Sequence, residues 1–126
     1  MTRGLGVDIV EIARISDMLE KYGVQFLEKI YTPLEIEFCS AKAFPAIHFA
    51  GRWAAKEAFY KALPDNLQAY SSWKSIQVLP GSAGRRPVVD ICDKQLEDEL
   101  NNNGIMKILL SISHEKSHCI AAVILE

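Results

Sequence analysis

Asp8 stands in the run Leu5-Gly6-Val7-Asp8-Ile9-Val10-Glu11, a carboxylate in a segment otherwise rich in Leu, Val and Ile. A carboxylate withdrawn from water has to be paired with a cation, hydrogen-bonded to backbone donors or bound to a metal. The strand alone leaves a salt bridge and a metal site both open. Gly6 projects to the same face two residues earlier, and its missing side chain predicts room for a ligand. A second group of reactive residues lies in Gly51-Arg52-Trp53-Ala54-Ala55-Lys56-Glu57-Ala58-Phe59-Tyr60-Lys61. Glu57 and Lys61 are four apart, as are Arg52 and Lys56, so each pair shares one side of a helix. An i,i+4 ion pair and a solvated basic edge would account for them in isolation. Against that, Trp53, Ala54, Ala55, Ala58 and Phe59 leave this helix only a narrow wet face, and the charges cluster on it.

A carboxylate on a strand, another on a helix, and lysines and an arginine nearby suit magnesium chemistry on phosphates. Mg²⁺ commonly takes one or two carboxylates and completes its shell with waters and substrate phosphate oxygens. It offsets charge developing on a leaving group, while lysine and arginine hold the remaining oxygens. Neither a GxxxxGK[ST] loop nor a GxGxxG turn occurs, which excludes the usual nucleotide-binding folds. His114 follows Ser111-Ile112-Ser113 and either reaches a phosphate or caps a turn. His118 and His114 lack HExxH order, so no zinc site is expected there, and no GxSxG elbow supports a serine hydrolase. His48, one helical turn before Arg52, reads as structural or surface.

The elements that must position these residues follow from periodicity. Residues 5–11 alternate as a strand, with Leu5, Val7 and Ile9 on one face and Gly6, Asp8 and Val10 on the other. Ile15, Met18, Leu19 and Tyr22 recur at helical spacing up to Gly23, and 24–30 forms another short helix. Thr32-Pro33-Leu34-Glu35 reads as a capping box with proline at the first helical position, opening a helix to about residue 41. Pro45 opens the longest helix, 46–63, stopped by Pro64 and spanning roughly 27 Å. Residues 65–72 read as a loop. Strands are expected at 74–79 and 87–91 around a turn at 80–84, then a polar helix 93–100 stopped by Asn101-Asn102-Asn103-Gly104. Residues 107–113 and 118–125 form a closing hairpin. The whole reads as one α+β domain over 1–126, an antiparallel sheet packed against one long helix and shorter helices.

Composition narrows the function classes. The chain has 126 residues, a net charge of −2 and an ordinary hydrophobic share of 49%. That balance, with no basic motif, argues against nucleic acid as a partner. No apolar run reaches the ~18 residues of a membrane helix, and no signal peptide is expected before the first strand. Cys39, Cys92 and Cys119 are few and scattered, which predicts reduced thiols and a cytoplasmic location. A domain this short buries a modest share of its surface, so association of copies would add burial.

Gly6-Val7-Asp8-Ile9-Val10-Glu11-Ile12-Ala13-Arg14 resembles the first motif of the holo-acyl-carrier-protein synthases, the small group of 4′-phosphopantetheinyl transferases. Arg52 through Ala62 resembles their second motif, and Ser111-Ile112-Ser113-His114 with Ala121-Ala122-Val123-Ile124 resembles their closing hairpin. The resemblance runs along essentially the whole chain in the right order. It implies transfer of phosphopantetheine from coenzyme A to a serine of apo acyl carrier protein, releasing adenosine 3′,5′-bisphosphate in support of fatty acid biosynthesis. It implies Asp8 and Glu57 as ligands of Mg²⁺ or Mn²⁺, and Lys61 as the lysine at the leaving phosphate. It also implies Arg52, Lys56 and His114 at the coenzyme A phosphates and nucleotide, and Arg14 on the helix that docks the acidic carrier protein. A homotrimer with active sites between subunits is expected on the same ground.

Two segments depart from the family pattern. Leu63-Pro64-Asp65-Asn66 replaces a Phe-Gly-Thr-Gly type loop, and Gly84-Arg85-Arg86-Pro87 replaces a Gly-Lys-Pro signature, both near where the family holds the nucleotide. Two other readings use the same residues. One is a non-catalytic module that docks an acidic helical partner through Arg14 and the basic helix edge, and the other is a metal-dependent phosphohydrolase.

Overall fold

The computed structural model describes residues 1–84 and 86–126. The chain runs β1 (Gly4–Glu11), α1 (Ile12–Tyr22), α2 (Val24–Ile30), α3 (Pro33–Ser40), α4 (Pro45–Ala62), β2 (Ile76–Leu79), β3 (Val88–Ile91), α5 (Lys94–Asn102), β4 (Ile108–His114) and β5 (His118–Leu125). β5 is the middle strand of an antiparallel sheet ordered β1-β5-β4, and β2 and β3 pair separately as an antiparallel ribbon. The expected α+β class holds, with the strands divided between two sheets. Residues 65–70, read as loop, coil into a 3₁₀ segment that follows α4 directly.

Local signals place the element ends. Thr32 Oγ1 accepts from the Glu35 amide, and the Glu35 carboxylate accepts from the Thr32 amide at 2.9 Å, closing the capping box in front of α3. Pro45 opens α4, and the Asp93 carboxylate accepts from the Leu96 amide at the start of α5.

α4 is the axis of the molecule, packed along one face of the three-stranded sheet. Ala54, Ala58 and Ala62 are buried along it, and these small side chains let β1 approach the helix backbone closely. A Cβ on Gly6 would run into the carbonyl oxygen of Ala58, and one on Gly4 into that of Ala62. The expected reason for Gly6 is therefore corrected: its missing side chain admits the helix, not a ligand. In the β1–β5 register Asp8 faces Ala121 and Val10 faces Cys119, so the Gly6–Asp8–Val10 face is the one turned to α4. The opposite face carries the larger apolar side chains and is exposed: Leu5, Val7 and Ile9 on β1, with Ile120 beside Ile9 on β5.

Behind α4 the core contains a charged pair. Lys56 and Glu35 are 4% and 0% exposed, with Lys56 Nζ 2.8 Å from Glu35 Oε1. Lys56 also donates to the carbonyls of Ile30, Trp73 and Ile76 at 3.0, 2.6 and 3.0 Å. Glu35 Oε2 accepts from the Val78 amide at 2.8 Å. One ion pair thus ties α2, α3, α4, β2 and the segment before β2 together, with each charge saturated by hydrogen bonds as burial requires.

Candidate active site

Asp8 reaches the site because β1 turns its small-residue face to α4, and Glu57 and Lys61 reach it because they lie one turn apart on that helix. The two lines of residues meet. Lys61 Nζ donates to Asp8 Oδ1 at 2.9 Å, from a half-exposed side chain to a carboxylate that is 12% exposed. The i,i+4 pairing of Glu57 with Lys61 does not form; the lysine crosses to the strand instead. Its ammonium is held above the usual lysine range by the hydrogen bond and charge of Asp8, so it is fully protonated at neutral pH.

Glu57 is half-buried and has no ion-pair partner among the described residues. Burial pushes its carboxyl up, and the Asp8 charge pushes it further, with Lys61 and Arg14 opposing. Two carboxylates on separate rigid elements, one close enough to disfavour ionisation of Glu57, are a donor set suited to a divalent cation. No group of three or more His, Cys, Asp or Glu side chains gathers anywhere among the described residues, so a site here would rest on two protein carboxylates. The pair fits Mg²⁺, which takes few protein oxygens and leaves positions for water and phosphate, better than a closed zinc cage.

Arg14 stands at the rim. It is exposed on α1, with its guanidinium 5.7 Å from the Trp53 ring centroid. Trp53 stacks between Phe26 and Trp73, at centroid distances of 6.0 and 4.5 Å. Glu57 also lines a cavity of about 350 Å³ together with Lys56, Tyr60, Ser71, Ser72, Trp73 and Ile76.

The remaining expected residues lie elsewhere. Lys56 is committed to Glu35 and three carbonyls, so the structure gives it a scaffolding role in place of the expected phosphate contact. The solvated basic edge on α4 is corrected with it: Arg52 is only 7% exposed. Arg52 precedes Glu57 by five residues, which puts it about 140° around the helix and about 7.5 Å along it. It opens with His114 into a separate groove of about 320 Å³, where Lys42 and His48 also face. One copy of the chain therefore holds Asp8, Glu57, Lys61 and Arg14 in one place and Arg52 and His114 in another. Lys42 carries no signal in the sequence, and His48, expected to be structural or surface, lines this groove instead. His48 lies one turn before Arg52 on α4, a spacing that signals a shared face.

The model of the 4′-phosphopantetheinyl transferase superfamily matches residues 4–123. The chain belongs to this superfamily. A holo-[acyl-carrier-protein] synthase of Syntrophus aciditrophicus is 43% identical over 126 residues, covering 100% of this chain and 97% of its own length. One from Chlorobium phaeovibrioides is 46% identical over 122 residues, covering 97% and 93%. Among solved structures, the holo-[acyl-carrier-protein] synthase of Neisseria meningitidis superposes with a TM-score of 0.85 at 31% identity, over 100% of this chain and 99% of that one. The Helicobacter pylori synthase, crystallised in complex with coenzyme A, matches with a TM-score of 0.80 at 29% identity, over 97% and 99%. This phosphopantetheinyl transferase therefore shares its fold with its relatives over their full length, with no large insertion or loss.

Proposed function

We propose that the protein transfers the 4′-phosphopantetheine group from coenzyme A to a serine of apo acyl carrier protein, as the names of its full-length relatives suggest. The observation that supports this most is the meeting of Asp8, Glu57 and Lys61 between β1 and α4, an arrangement made for a pyrophosphate. The serine oxygen forms a bond to the pantetheine-side phosphorus, and the bond from that phosphorus to the bridging oxygen breaks, releasing adenosine 3′,5′-bisphosphate. Lys61 would donate a hydrogen bond to the departing phosphate as its charge grows. Asp8 and Glu57 would hold Mg²⁺, or Mn²⁺, and the bound ion supplies charge neutralisation at the pyrophosphate. Arg14, exposed at the rim on α1, is the docking contact for an acidic carrier protein.

Two features support a homotrimer. Leu5, Val7, Ile9 and Ile120 make a contiguous exposed apolar face on a small domain, the kind of patch that a second copy covers. The nucleotide-side residues Arg52 and His114 lie away from Asp8 and Glu57 within one copy, so a neighbouring copy has to supply one half of a complete site. No helix among the described residues is long and apolar enough to cross a membrane; the cytoplasm and fatty acid biosynthesis are the setting that an acyl-carrier-protein synthase would serve.

The experiment is to follow adenosine 3′,5′-bisphosphate release from coenzyme A and Mg²⁺, with and without apo acyl carrier protein. Release only in the presence of the carrier supports the transferase. Release without it supports the phosphohydrolase, and no release in either case leaves a docking module.

A further inference from the structure

His48 has no assigned part in the reaction, yet it sits in the groove that carries the nucleotide-side residues. Three basic side chains converge there on a single ring. The Lys42 ammonium lies 4.4 Å and the Arg52 guanidinium 4.6 Å from the Phe38 centroid, and the His48 imidazole meets the same ring edge-on at 6.1 Å and 87°. A fourth base, His114, enters from β4. The groove's other walls are apolar or backbone: Ile47 on α4, Ile112 on β4, Cys119 on β5, and Pro80, Gly84 and Pro87 from the β2–β3 connection, whose Arg85 lies outside the described residues.

The charges in this groove have no carboxylate opposite them among its described lining residues. A ring face offsets a cation by about 0.5–2 kcal/mol, well short of what burying a guanidinium costs. Arg52 is 7% exposed, and its Nε is buried without any hydrogen-bond partner among the described residues. A buried donor left open in this way, in a cleft with apolar walls, fits a ligand that joins several negative charges to an apolar ring. A nucleoside bisphosphate has that form.

We propose that His48 is a further binding residue for the nucleotide end of the donor, holding its phosphate as an imidazolium, so that docking draws a proton onto this ring. The proposal rests on the reading above that the donor is coenzyme A. In the free protein the His48 imidazole titrates below its ordinary value, through burial first and then the charges of Arg52, Lys42 and His114. A phosphate brought into the groove reverses that balance and favours the imidazolium. Proton uptake therefore occurs at pH values between the free and bound pKa of the ring. Above that window the ring stays neutral in both states, and below it the ring is charged in both.

The test is calorimetric titration of the whole protein with adenosine 3′,5′-bisphosphate, between pH 5.5 and 8, in buffers of different ionisation enthalpy. The phosphate itself titrates near pH 6, so the difference between wild type and His48→Gln isolates the ring. The expected result is net proton uptake by wild type that is lost in His48→Gln. Relative to His48→Gln, wild-type affinity should gain about threefold to tenfold as pH falls through the window, a shift of up to about one pKa unit. The NMR ring signal of His48 in unsubstituted protein should move to its imidazolium position on ligand addition at fixed pH. Equal uptake in wild type and His48→Gln, or a ring signal that stays neutral in the complex, overturns the proposal. A wild type that binds no bisphosphate at any pH overturns the coenzyme A reading itself, and the proposal with it.

Discussion

Lys61 on α4 places its ammonium 2.9 Å from Oδ1 of Asp8 on β1, crossing from helix to strand and leaving Glu57, four residues earlier on its own helix, without that partner. The lysine stands where a divalent cation would also find its first carboxylate. It would therefore compete with such an ion for Asp8, and in the proposed reaction it is the donor to the leaving group.

Replacing Lys61 should separate these roles. In Lys61→Met, turnover should fall by about 10²–10³, the cost of removing one donor to developing charge. Mn²⁺ or Mg²⁺ affinity, read by calorimetry in the absence of coenzyme A, should rise because Asp8 is released. Weaker metal binding in this variant would mean that Asp8 is not a ligand.

Glu57 carries a testable pH signature. Its folded pKa lies above the ordinary 4.5, through burial and then the charge of Asp8. Ionising it therefore opposes folding: the stability it contributes is complete below the unfolded value and is lost as pH rises through the folded one. Mg²⁺ should offset this, so its stabilisation of the protein against heat should be larger at pH 7 than at pH 5. Glu57→Gln should raise Tm without metal by about 1–3 °C and remove most of the Mg²⁺ effect, while abolishing turnover. Calorimetric melts with and without Mg²⁺ check each part.

The buried pair of Lys56 and Glu35 predicts a stability effect in place of a binding one. Lys56→Met leaves the Glu35 carboxylate in the core with its cation gone, at a cost of about 3–5 kcal/mol in urea unfolding. The double variant Lys56→Met with Glu35→Gln, which removes both charges of the pair, should recover part of that loss. A Lys56→Met protein of normal stability with a raised KM for coenzyme A would return the residue to the phosphates.

The exposed sheet face predicts assembly. Val7→Lys or Ile9→Lys puts a charge in the apolar patch and should yield monomers by sedimentation. Activity should fall with the oligomer, because Arg52 and His114 of one copy do not reach that copy's Asp8 and Glu57. Fully active monomers would contradict a site shared between subunits.

Much of this was legible from residues alone, and the failures share a physical cause. The capping box at Thr32 and Glu35, the α4 start at Pro45 and the hairpin of β4 and β5 are local signals, and each appears where its residues call for it. Asp8 and Glu57 come together because strand period and helix phase leave them few other directions. The engagement of Lys56 is not legible because its partner Glu35 lies 21 positions earlier in the chain (56 − 35), and helix spacing carries no information about a pair between elements. Gly6 was misread for the same reason, since the carbonyl that excludes its Cβ belongs to α4. Helix spacing puts His48 on the face of Arg52, but only the folded chain brings Phe38 of α3 against both.

The most direct measurement of the central claim is the mass of apo acyl carrier protein after incubation with this protein, coenzyme A and Mg²⁺, alongside Asp8→Ala and Glu57→Ala variants whose folding has been verified. The account predicts that wild type adds one phosphopantetheine to the carrier serine and that neither variant does. An unchanged carrier mass under conditions where another holo-[acyl-carrier-protein] synthase modifies it, or near-normal transfer by either variant, would contradict it.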